Sequence, residues 1–150
     1  MNTVSQSPSQ PTDLMRRRVS LDLKATFIWR GITLQIATNS SAILQAATDA
    51  GLKTMQDADV ESGLCWEVTV EDDAAISRPA CAPHLWRNGC SIYIEIAQHQ
   101  WFALDAESGD GAGFLATRAP DLDARVYLES ILRILEPELQ HQSSVTGCNG

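Results

Sequence analysis

Apolar and polar positions alternate clearly near the start of the chain, in LDLKATFIWRGITLQIAT. Ala25, Phe27 and Trp29 alternate with Thr26, Ile28 and Arg30, and after Gly31 the rhythm resumes as Ile32, Leu34 and Ile36 against Thr33, Gln35 and Ala37. A period of two is the mark of a half-buried strand, so this piece predicts two strands around a glycine turn, or one strand with a bulge. Asn39 and Ser40 offer N-caps to a short helix, SAILQAATDAG, in which Ile43, Leu44 and Ala47 share a face and Gly51 supplies the stop. After a polar connection, LCWEVTVE sets Leu64, Trp66, Val68 and Val70 against Cys65, Glu67, Thr69 and Glu71. A proline-containing loop runs from Asp72 to about Pro83, and HLWRNGCSIYIEIAQHQWFALD then reads as three strands. Asn88-Gly89 forms the first turn between them, since this pair tolerates the positive φ angles of a tight hairpin.

The period changes to that of a helix in PDLDARVYLESILRILEPEL. Pro120 suits the first turn, Asp121 and Asp123 complement the helix dipole, and Leu128, Ile131, Leu132 and Leu135 form the apolar stripe. Glu129 precedes Arg133 by four residues on a more polar side, and Pro137 is where the helix should stop or kink. Strands outnumber helices and hairpins imply antiparallel pairing. The expected class is therefore α+β: an antiparallel, hairpin-rich sheet of about five to seven strands with two helices packed on one face.

Composition adds boundaries to this picture. Residues 1–20 are rich in Ser, Gln and Pro and read as a disordered polar tail, residues 21–140 as a single domain, and residues 141–150 as a flexible C-terminal tail. A net charge of −8 opposes the basic field that phosphate backbones and anionic membrane surfaces require, so neither nucleic acid nor membrane is expected as a partner. The first 13 residues lack the apolar core of a secretory signal. Arg16, Arg17 and Arg18 are followed by a stretch broken by Asp22 and Lys24, which does not suit a twin-arginine export signal, and the chain reads as cytoplasmic. Arg17-Arg18-Val19-Ser20 also fits the loose pattern of basophilic kinase substrates.

Candidate chemistry is sparse. LDAESGDGAGFLA, residues 104–116, gathers three acids and three glycines, but it lacks the lysine and hydroxyl of a phosphate loop and the glycine spacing of a dinucleotide fingerprint. Its acids also miss the alternate spacing of a calcium loop, which leaves a hairpin with a glycine-containing turn. Four cysteines, Cys65, Cys81, Cys90 and Cys148, read as free thiols in a reducing compartment. Cys81, His84 and Cys90 supply soft ligands that zinc favours, with Cys65 as a fourth from a neighbouring strand, and Cys90 with His99 is a conceivable nucleophile and base. Trp29 and Trp66 fall on apolar faces and should fill the core. Trp86 and Trp101 stand beside polar residues at hairpin edges; core filling is the commoner role for such rings too, and exposure on the sheet is the alternative that makes them the candidate partner-binding residues.

The succession FIWRGITLQIATNSSAILQAATDAGL, a strand, and a hairpin ending in WFALDAESGDGAGFLA resembles, over residues 23–117, the region that precedes the kinase core in bacterial HPr kinase-like proteins. That family holds its nucleotide with a downstream P-loop, which this chain lacks, so no kinase residue is carried over. The resemblance implies a free-standing accessory or recognition module without the catalytic half. Two functions follow as expectations: a small acidic binding or regulatory module acting through a protein or peptide partner, with no cofactor, or a zinc- or thiol-dependent small enzyme built on Cys81, His84 and Cys90.

Overall fold

The computed structural model describes residues 20–56, 63–72, 83–97 and 99–144. Almost all of the expected N-terminal tail, most of the proline-containing loop, Cys81 and Cys148 lie outside them. The elements are β1 (Leu23–Trp29), β2 (Ile32–Thr38), α1 (Ser41–Asp49), β3 (Lys53–Met55), β4 (Leu64–Asp72), β5 (His84–Asn88), β6 (Ser91–Ala97), β7 (Gln100–Asp105), β8 (Asp110–Thr117) and α2 (Pro120–Ser144). The eight strands form one sheet in the order β3-β1-β2-β4-β8-β7-β6-β5.

The class is α+β, but the sheet is mixed rather than antiparallel, and it exceeds the expected strand number. β4 runs parallel to β2 on one side and parallel to β8 on the other. Both hairpin systems are where the alternation put them: β1–β2 on one flank and β5–β6–β7–β8 on the other. The sequence could show these local pairings because each is closed by its own turn. Nothing local marks which two strands will flank β4.

The turns follow backbone chemistry. Arg30 and Gly31 both have positive φ (52° and 81°), which matches the right-handed twist of the strands they join. In the next hairpin Asn88 still pairs with Ser91, so the turn is centred on Gly89 and Cys90, one residue later than expected. Positive φ falls there on Gly89 (62°) and not on Cys90, the pattern of a type II′ turn. Ser40 caps α1 by accepting a hydrogen bond from the Ala42 N–H, and Gly51 follows the helix with a φ of 96°. Asn39 has a different task from the capping expected of it. Its side-chain amide donates to the Val70 carbonyl and accepts from the Val70 N–H, both at 2.8 Å, and so extends the β2–β4 ladder past Thr38.

Both helices pack on the sheet face that carries Phe27, Trp29, Leu34, Ile36, Trp66, Ile92, Ile94 and Phe102. The stripe expected for α2 is buried in full, joined by Ala124 and Tyr127, and α1 adds Ala42, Ile43, Ala46 and Ala47. α2 does not stop at Pro137 but continues to Ser144, so its last turn occupies positions expected to be tail. Proline costs the helix one backbone hydrogen bond. Contacts on both sides of it hold the chain in place: Glu136 pairs with Arg30 at 3.0 Å, Glu138 pairs with Arg87 at 3.0 Å, and Leu139 packs on the core.

Tyr127 is the most demanding side chain of the core. It is fully buried, and its hydroxyl donates to the Trp101 carbonyl at 2.7 Å. Burial pushes its phenol well above the ordinary value. The unfolded chain therefore ionises Tyr127 above about pH 10 while the folded chain does not, and stability that is complete below that pH is lost above it. The wild type is expected to lose about 1.4 kcal/mol per pH unit above pH 10 relative to Tyr127→Phe in urea titrations. Parallel pH dependences of the two proteins would refute this.

Candidate functional site

Among the described residues no helix lies on the other face of the sheet, and the register of the strands sets out its residues in rows. One row crosses seven strands as Lys24, Ala37, Glu67, Ala112, Ala103, Tyr93 and Trp86. A second carries Thr69, Phe114, Trp101, Glu95 and His84. On the other side of the first, Gln35, Cys65 and Asp110 are neighbours, as are Asp105, Ser91 and Asn88.

Alternation brings four aromatics to this face. Trp86, Tyr93 and Trp101 are 53%, 48% and 45% exposed, where rings of this size are ordinarily buried. Trp101 is stacked on Phe114 with ring centroids 6.3 Å apart, and Trp86 leans on His84 at 5.7 Å. Beside them Ala103 and Ala112 leave the sheet low. Their small side chains floor a trough of 540 Å³ bounded by Tyr93, Glu67, Cys65, Ser91, Asp105 and Asp110.

The rim is acidic. Glu67 is exposed at its middle, and Asp110 and Asp105 close the end at the β7–β8 turn. Asp105 Oδ1 also accepts from the N–H groups of Glu107 and Ser108, so this carboxylate holds the turn as well as lining the trough. Glu95 meets His84 at 3.7 Å, and Lys24 is the residue at the far end of the first row. Rings with exposed faces next to carboxylates suit a cationic, partly apolar ligand, since the ring quadrupole and the carboxylates attract the same sign of charge.

The glycines of LDAESGDGAGFLA belong to the core and not to a ligand loop. A Cβ at Gly111 would lie 2.6 Å from Phe102 Cζ and 2.7 Å from Trp66 Cδ1; one at Gly113 would lie 2.1 Å from the Tyr127 hydroxyl. These glycines make room on the helix side for three large rings. Gly109, with a φ of 85°, forms the turn itself.

The expected cysteine and histidine constellations are taken apart by the strands. His84 starts β5 and Cys90 lies in the turn beyond its end, so four strand rises, about 13 Å, separate His84 from Asn88 alone. One zinc ion, with ligand bonds near 2.0–2.3 Å, does not reach both. Cys65 is four strands away from His84 across the sheet, about 19 Å. Cys90 and His99 occupy turns at opposite ends of the seven-residue β6, which removes them as nucleophile and base. Cys90 is moreover disulfide-bonded, so the expectation of four free thiols does not hold there, and its sulfur, 3.8 Å from Glu107 Oε2, has no hydrogen to donate. Cys65 is free and half-buried on the open face. Cys81 lies outside the described residues, among which no group of three metal-ligating side chains occurs.

Trp29 and Trp66 fill the core, as the alternation implied, whereas Trp86 and Trp101 are exposed and do not take the core-filling role that is commoner for such rings. Tyr93, Glu67 and Asp110 were not singled out from the sequence. Their signal was present: in SIYIEI the isoleucines take one face, which leaves Tyr93 and Glu95 on the other with Trp86 across the hairpin. No helix among the described residues is long and apolar enough to cross a membrane. No protein-family model, no curated protein and no solved structure matches this chain.

Proposed function

We propose that the protein is a binding or accessory module whose open sheet face receives an extended, basic segment of a protein partner. The observation that carries this reading is the collection of Trp86, Tyr93 and Trp101, each about half exposed, on the sheet face that also holds a trough lined by Tyr93, Glu67, Asp105 and Asp110. Exposed aromatics clustered on one surface mark interaction sites, and Trp and Tyr are the side chains that dominate binding energy there. The resemblance to the region preceding the HPr kinase-like core agrees with a recognition role that needs no catalytic group.

Recovery of partners from lysate of the source cell by wild type and by Trp86→Ala/Trp101→Ala tests the reading. A partner held near stoichiometry by the wild type is expected to be lost from the variant, at about thirtyfold or more in affinity for each aromatic hot spot. Val126→Ala, an exposed position on α2, is the control and should retain it. Equal recovery by wild type and face variant sinks the proposal. Release of the partner by 0.5 M salt is the expected sign of its basic character.

A further inference from the structure

We infer that the trough seats an N-methylated ammonium, which the segment received by the open face presents as a trimethyllysine side chain. The inference rests on that face being a site for basic segments, and adds which cation the site is shaped for.

The register sets out what surrounds the floor. Ala103 and Ala112 are partners on β7 and β8, the first half-buried and the second exposed. Along the row they share, Tyr93 follows Ala103 on β6 and Glu67 follows Ala112 on β4. Two positions along the strands in one direction are Asp105 and Asp110, which line the trough with them. Two positions in the other direction stand Trp101 and Phe114, paired and stacked ring on ring. The alanine floor thus has aromatic rings beyond two of its sides and carboxylates beyond the other two.

This frame discriminates among cations. A primary ammonium is compact and strongly hydrated, and it gives up its water only to short hydrogen bonds that converge on it. Here the carboxylates are spread apart. Glu67 and Asp105 stand on different sides of the floor, two strand spacings or about 10 Å from each other across the sheet, and Asp105 Oδ1 already accepts from the Glu107 and Ser108 N–H groups. A methylated ammonium makes no such demand. Its charge is spread over methyl groups that pack on the alanine methyls and on the face of Tyr93, and carboxylates at a distance complete its neutralisation.

The surroundings favour a lysine as the carrier of this group. The trough is open along the sheet, so a small free cation would be held from one side only. A lysine in an extended segment has further contacts: its neighbours meet the Trp101–Phe114 stack on one side and Trp86 beyond Tyr93 on the other. A methylated headgroup in a membrane fits less well, since a chain of net charge −8 is repelled by anionic lipid beside it.

The test titrates tetramethylammonium and ammonium chlorides, at equal ionic strength, into the full chain labelled with carbon-13 at its alanine methyls. Tetramethylammonium is expected to shift the Ala103 and Ala112 signals and to bind at least about fivefold more tightly than ammonium. Tyr93→Ala, an exposed change, should weaken it at least about threefold, whereas Tyr93→Phe, which keeps the ring, should retain it. The pentapeptide GTKTG, trimethylated on its lysine, should bind more tightly than the same peptide unmodified and more tightly than tetramethylammonium. Equal binding of the two peptides, or of the two ions, overturns the inference and leaves the face as a site for ordinary basic segments. Alanine methyls that respond to none of the probes overturn it together with the face's preference for cations. Retention on phosphatidylcholine vesicles that Tyr93→Ala abolishes overturns the lysine assignment, since the methylated group would then come from a lipid.

Discussion

Gly113→Ala is expected to destabilise the protein by about 3 kcal/mol, although it adds a single methyl group to a strand. The new Cβ would stand 2.1 Å from the Tyr127 hydroxyl and 2.9 Å from Phe102 Cδ1. Tyr127 is buried on all sides, and withdrawing it breaks its hydrogen bond to the Trp101 carbonyl. Overpacking of a core costs about 1–3 kcal/mol, and a buried hydroxyl and carbonyl left without each other cost about as much again. The midpoint of thermal unfolding should fall by about 10 °C for a domain of this size. The decisive comparison is with a second change. Tyr127→Phe removes the atom that the methyl group strikes, so the double variant should be more stable than Gly113→Ala alone, although Tyr127→Phe by itself costs about 1 kcal/mol. If Gly113→Ala melts with the wild type, the glycine is not the slot that admits Tyr127.

Trp66→Ala is expected to cost about 4 kcal/mol, a large share of the 5–15 kcal/mol that holds a domain together. Trp66 is 1% exposed at the centre of the sheet. Its ring meets Phe102 edge-on with centroids 4.7 Å apart and Trp29 at 6.1 Å, and the bare backbone of Gly111 lies against it. Removing it leaves a cavity that the rings of Trp29 and Phe102, anchored in two different strands, cannot collapse into. Trp101→Ala, on the other face, should cost no more than about 1 kcal/mol, since it forfeits mainly a stack on Phe114. Urea denaturation of the two variants side by side measures the contrast, and equal losses would contradict the assignment of the two faces.

These two tryptophans show what a single sequence discloses and what it does not. Alternation within a strand separates Trp66 from Cys65 and Glu67, and the glycine turns at Arg30-Gly31 and Gly89-Cys90 fix register inside each hairpin. The faces of individual strands were therefore readable. The neighbours of β4 were not, because pairing Cys65 with Asp110 is decided by the sum of long-range contacts and not by any residue between them. The trough depends on that pairing, since Glu67 comes to it from β4 and Asp110 from β8. The three-residue β3, exposed throughout, had no apolar alternation to announce it. Gly111 and Gly113 read only as part of a glycine-containing hairpin, because the rings they admit come from β4, β7 and α2, away from the glycines along the chain.

The parallel pairing at the centre also bears on how the chain is made. Cys65 must wait for Asp110, 45 positions later (110 − 65), before the second edge of β4 is covered. During synthesis the β1–β2 hairpin, α1 and β4 emerge with that edge open, and the β5–β8 meander has to be finished before its last strand can dock against it. Closing so long a loop late slows folding, and it leaves an apolar strand edge available to other nascent chains in the interval. The vulnerable moment for aggregation therefore falls while residues 73–109 leave the ribosome, and slowing translation across that interval should lower the soluble yield.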